Sequence, residues 1–75
     1  MKINFDKKMT GEKLKSYRLK KGLSISYLSD LTGISPSSIR NCENGKSSLT
    51  IRNLVVLCDF FKKSIDETLA YVIIS

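Results

Sequence analysis

Histidine is absent from this 75-residue chain, proline occurs once and cysteine twice. Without histidine the commonest general base is missing, and no Ser-His nucleophile pair can form. There is no Gly-rich phosphate loop and no paired-carboxylate arrangement, so enzymatic chemistry is not expected. Two thiols, Cys42 and Cys58, fall short of the four ligands of a structural metal site and are too few for a small secreted disulfide scaffold. Both sit on apolar helical faces and read as reduced, buried thiols, small hydrophobes in effect. No metal, cofactor or small-molecule ligand is therefore expected. No stretch approaches the roughly 18 consecutive apolar residues of a membrane span. The start, Met1-Lys2-Ile3-Asn4-Phe5-Asp6, has no apolar run of a secretory signal, and the expected location is the cytoplasm.

Acidic residues are also scarce, and unevenly so. Residues 1–46 hold ten Lys or Arg against four acids, whereas residues 47–75 hold three of each. The whole excess of +6 thus lies in the first part of the chain. Such asymmetry suits a polyanion, although basic charge alone fits nucleic acid, an anionic membrane or plain solubility. Hydrophobic residues at 41% suffice for one core, and so short a chain folds as one domain with a thin stability margin.

Turn and cap residues divide the chain into five short helices between two extended ends. Thr10 reads as the N-cap of the first helix, whose inward stripe is Leu14, Tyr17, Arg18 and Lys21 and whose end is Lys20-Lys21-Gly22. Ser24 caps a second helix over residues 25–31, with Leu28 and Leu31 inward. After the tight turn Thr32-Gly33-Ile34, Ser35 caps a third, with Pro36 at its first position, Ile39 and Cys42 inward, Glu43 beside them, and Asn44-Gly45 as its stop. Thr50 caps the fourth, residues 51–61, where Leu54, Leu57, Cys58 and Phe61 recur at helical spacing. Ser64 caps a last turn containing Ile65 and Leu69, with Asp66 and Glu67 at the positive end of its dipole. Residues 2–6 alternate as a strand with one buried face, and residues 70–74 are apolar on both faces.

Two short helices joined by a glycine-containing turn, residues 25–31 and 36–43, make a helix-turn-helix pattern that is weak taken alone. The ordered set is much more specific: Leu14-x-x-x-Arg18, Lys21-Gly22-Leu23-Ser24, Leu28, Gly33-Ile34-Ser35, Ile39, Glu43-Asn44-Gly45-Lys46, Leu54 and Ser64-Ile65-Asp66-Glu67. In that register the chain resembles the lambda-repressor-like helix-turn-helix domains of phage repressors, Cro proteins and their bacterial relatives (the XRE family). The resemblance implies an all-α, five-helix DNA-binding domain over residues 12–69, its motif at about 25–44. Residues 1–9 and 70–75 are left as extended ends able to pair as a short two-stranded ribbon.

It also implies roles. An arginine of the first helix pairs with the glutamate ending the recognition helix in this family; the matching residues are Arg18 and Glu43. That pairing would explain a charge within an apolar stripe, since an unpaired buried charge is very costly; the other reading has Arg18 snorkelling and Glu43 solvated. The base-reading positions are Pro36, Ser37, Ser38, Arg40 and Asn41, with Arg40 open to a phosphate contact instead. The DNA backbone would be held by Ser24, Ile25 and Ser26 at the second helix and by Asn44, Lys46 and Ser47 in the following loop. Two positions depart from the family: Ile25 stands where glutamine is frequent, and Leu49 where proline is. The implied function is a sequence-specific double-stranded DNA-binding regulator, a repressor working as a homodimer, with the tail either joining a second subunit or lying on the fourth helix. The alternatives are the antitoxin of a toxin–antitoxin pair and a protein-interaction module that retained the fold without DNA binding.

Overall fold

Each of the five helices begins at a side-chain oxygen that accepts the backbone N–H three residues on, the bond that relieves an orphan donor at a helix start. The capping residues are Asp6, Ser24, Ser35, Thr50 and Ser64. They open α1 (Lys7–Lys20), α2 (Ile25–Thr32), α3 (Pro36–Glu43), α4 (Ile51–Phe61) and α5 (Ile65–Thr68), flanked by β1 (Lys2–Phe5) and β2 (Tyr71–Ile74). This computed structural model describes residues 2–74, with side chains from Ile3 to Tyr71.

The core joins Leu14 of α1, Leu28 of α2, Ile34 of the motif turn, Ile39 and Cys42 of α3, and Leu54, Leu57, Cys58 and Phe61 of α4. α2 closes at Gly33, whose left-handed backbone (φ 76°) reverses the chain toward α3. α1 ends in a Schellman arrangement, with the Leu23 N–H donating to the Arg18 carbonyl and the Gly22 N–H to that of Leu19. At α5 the Ser64–Glu67 pair forms a full capping box.

The two ends pair antiparallel, Ile3 opposite Ile73 and Phe5 opposite Tyr71. At the base of this ribbon the Asp6 N–H donates to the Ala70 carbonyl (2.8 Å), and the Ala70 N–H donates to Thr10 Oγ1 (2.9 Å). Thr10 is therefore not the cap of α1. It lies one turn inside a helix that Asp6 starts, its hydroxyl donating to the Asp6 carbonyl and stapling the C-terminal segment to α1. The extended N-terminal end accordingly stops before residue 7, and residues 7–9 are helical rather than extended.

Other departures from expectation have equally local causes. Lys21 is exposed because it is the cap beyond the last turn of α1. Leu31 is 49% exposed, and Ile34, brought round by the turn at Gly33, enters the core in its stead. Ile3 and Phe5 were expected to face inward, yet both stand exposed, because the ribbon extends beyond the helices instead of lying across them. Thr68, a polar residue with no periodic signal, is fully buried; its hydroxyl donates to the Ser64 carbonyl and meets the Tyr17 hydroxyl at 3.2 Å. The outward faces of Val72, Ile73 and Ile74, on which the tail's apolar character rested, lie outside the described side chains.

Candidate nucleic-acid interface

α3 is two-sided. Ile39, Cys42 and Glu43 are buried, while Pro36, Ser37 and Arg40 are exposed and Ser38 and Asn41 half-buried. At 100° per residue, Ser37, Arg40 and Asn41 form one outward stripe. Among the described residues, no side-chain hydrogen bond engages any of these three. Ser38 is different: its Oγ accepts from Ser35 Oγ (2.8 Å), and its N–H donates to the same cap, so its hydroxyl keeps its own proton and one lone pair for an outside partner. Pro36 occupies the first helical position, where a missing N–H costs nothing.

The attitude of this helix is set by α1. Arg18 Nε lies 2.7 Å from Glu43 Oε2, and Nη2 lies 2.9 Å from Oε1, a two-pronged buried pair. The third guanidinium nitrogen, Nη1, donates to the Leu23 carbonyl at 2.7 Å. One side chain therefore ties α1, the end of α3 and the link into α2. The bond to Glu43 raises the Arg18 pKa above its ordinary value against the opposing effect of burial, so the guanidinium stays charged. Burial, helped by the Glu43 charge, pushes the Cys42 thiol up, which leaves it protonated and a poor nucleophile.

A second device is Gly11, inside α1 and buried. A Cβ at this position would overlap the backbone carbonyl of Cys42, so only glycine lets α1 approach the end of α3 so closely. Nothing local distinguishes a glycine that breaks a helix from one that admits a neighbour.

Around α3, Ser24 and Ser26 are exposed at the start of α2, while the half-buried Ile25 side chain packs against the core. Asn44, Lys46 and Ser47 are exposed in the loop after α3. Their loop is held from within, with the Lys46 N–H donating to the Asn41 carbonyl (2.9 Å). Two residues that the sequence reading left out of the site, Lys7 and Lys8, are brought against this loop: Lys7 Nζ donates to the Lys46 carbonyl (3.3 Å), and the Lys8 stem packs on Gly45. An Asp6 cap would have signalled them, had the first helix been started there.

A family model described as Helix-turn-helix (HTH_3) matches residues 14–68. The chain belongs to the helix-turn-helix family. Solved members of similar shape include the restriction-modification controller protein C.AhdI from Aeromonas hydrophila, 27% identical, with a TM-score of 0.76 over 84% of this chain and 96% of that one. The S. venezulae BldD DNA-binding domain is 25% identical, with a TM-score of 0.75 over 87% and 97%. A family regulator from Vibrio cholerae is 32% identical with a TM-score of 0.71, covering 79% of this chain and 33% of that one. Among curated proteins none matches the chain. This helix-turn-helix chain has, among its described residues, no helix long and apolar enough to cross a membrane.

Proposed function

We propose that this helix-turn-helix protein is a sequence-specific, double-stranded DNA-binding transcriptional regulator that acts as a homodimeric repressor. The observation that carries the reading is the two-sidedness of α3: its buried half is locked to α1 through Glu43, and its outward stripe is free. A short helix so held can enter the major groove with its N-terminal half against base edges. Asn41 suits a two-pronged contact to adenine, and Arg40 one to guanine, each worth about 1–3 kcal/mol of discrimination. Ser37 accepts several bases, and Pro36 offers apolar contact to a thymine methyl. The free N–H groups opening α2 and α3, together with Asn44, Lys46 and Ser47, hold phosphates and set register without reading sequence. Support also comes from the similar proteins, one a controller, one a DNA-binding domain and one a transcriptional regulator by their own descriptions.

The dimer is assigned to the ribbon. Phe5 and Tyr71 meet edge to face across it at 6.3 Å, yet they remain 63% and 51% exposed. A two-stranded ribbon of this length needs further packing to persist, which a second copy supplies. Two readers about 34–36 Å apart then address a near-palindromic site, and occupancy of that site across a promoter blocks transcription.

Selection of bound duplexes from a random pool tests the reading. A short, near-palindromic sequence is expected to be enriched; absence of any duplex affinity at low salt defeats the proposal. Given an enriched site, Asn41→Ala and Arg40→Ala should each relax preference at one position. Lys46→Ala should weaken all duplexes evenly. The pair of substitutions Phe5→Asp and Tyr71→Asp should yield a folded monomer in sedimentation, and an unchanged sedimenting mass removes the ribbon from the dimer.

A further inference from the structure

The excess positive charge of the chain is not spread evenly around α3. Gly11 brings α1 onto the end of α3, and Lys7 and Lys8 precede that contact by one helical turn. Lys8 runs its stem over Gly45, and Lys7 reaches the Lys46 carbonyl. Three lysines thus meet at the loop that follows α3: Lys46 within it, Lys7 with its ammonium on the Lys46 carbonyl, and Lys8 with its stem on Gly45. Two belong to a part of the chain nearly forty residues away.

Among the described residues none of the three is matched by a carboxylate. The ion pairs there are Arg18–Glu43 and Lys63–Glu67. The adjacent acid, Asp6, accepts the Met9 N–H as the helix cap, and Glu43 is buried against Arg18. Like charges gathered without a counter-charge repel. The arrangement is relieved when a polyanion lies across it. Even with one donor occupied, Lys7 retains further N–H groups for an external acceptor.

The geometry of groove entry says which polyanion. Eight helical residues span about 12 Å, close to the width of the major groove, about 12 Å. With the start of α3 at the base edges, its end and the following loop lie at the phosphate strand bounding the groove. We propose that Lys7 and Lys8 join Lys46 in a cradle for successive phosphates of that strand, a binding surface built from the first turn of α1 and the loop 44–48. The proposal rests on the DNA-binding reading above and extends it to residues outside the motif.

The test is the salt dependence of binding to the pool-selected duplex, using the full chain. Each phosphate contact contributes about 0.9 to the slope of log affinity against log salt. Replacing both residues, Lys7→Gln with Lys8→Gln, should lower that slope by about 2 and weaken binding about tenfold at low salt. Base preference should be unchanged. Lys7→Arg with Lys8→Arg should restore the slope, which separates charge from any loss of fold. Lys62→Gln, at the far end of α4, removes one equal charge and should leave the slope nearly alone. A wild-type slope in the double Gln variant, or an equal fall per charge at Lys62, overturns the cradle while DNA binding stands. A wild type without duplex affinity overturns both.

Discussion

α1 is gripped at two places, and the grips are of different kinds. Where it meets α3 the contact is buried and close: a glycine with no side chain to spare, a two-pronged buried ion pair, and apolar residues on both sides. Where it meets the ribbon, backbone and hydroxyl hydrogen bonds dominate, through Asp6, Thr10 and Ala70, while the aromatic rings above remain exposed. The first grip sets the pose of α3 and tolerates little change. The second fastens the ends of the chain and leaves a surface unspent.

That contrast can be broken most forcefully at Glu43. Glu43→Ala leaves the Arg18 charge buried without a partner, a loss of about 3–5 kcal/mol, or a fall of well over ten degrees in melting temperature for a domain of this size. Substituting both members with apolar residues of similar volume should recover much of the loss; an unchanged melt for the single variant would show the pair to be inert. Gly11→Ala comes next. In an ordinary helix interior this change stabilises by about 1 kcal/mol. Here the sign reverses, because the new methyl meets a carbonyl oxygen that cannot rotate away, and a cost of about 1–3 kcal/mol is expected in denaturant titration.

The ribbon grip should yield less than the ion pair. Thr10→Val removes the acceptor of the buried Ala70 N–H and costs about 1–3 kcal/mol. Amide exchange at Ala70 should accelerate, and Thr10→Ser should restore protection. If Ala70 exchanges equally slowly in the Val variant, Thr10 is not what holds it. The smallest effect belongs to Glu67, whose carboxylate is held below its ordinary pKa by the Ser64 N–H and hydroxyl. A lowered folded pKa means that its stabilisation is full above the ordinary Glu value, about 4.3, and is lost as pH falls through the folded value. Glu67→Gln should therefore lower stability slightly at neutral pH, with the difference from the parent shrinking as pH falls and the acid slope flattened; equal acid slopes in both proteins would dissociate the cap from that titration.

Local chemistry was the readable part of this sequence. Ser24, Ser35, Thr50 and Ser64 announce helix starts because a cap bond spans only three residues, and α4 declares its buried stripe by period alone. The inward face of α3 was legible for the same reason. What escaped depends on partners distant along the chain. Asp6 and Thr10 are both good caps, and the choice between them turns on where Ala70 arrives. Gly11 has meaning only beside Cys42, and Thr68 is buried only because Tyr17 and Ser64 meet it. Lys7 and Lys8 were missed as neighbours of the reading helix through the same error that began α1 too late.

Cys42 sits on the inner side of α3, its carbonyl beneath Gly11 and its thiol enclosed in the core. An alkylating reagent reaches that sulfur only when the packing around it, from α1, α4 and the loop at Leu49, opens. The pace of its modification in the native protein therefore counts those openings directly. The chain thus carries, on the inner side of α3, a native thiol whose reactivity times the opening of the core.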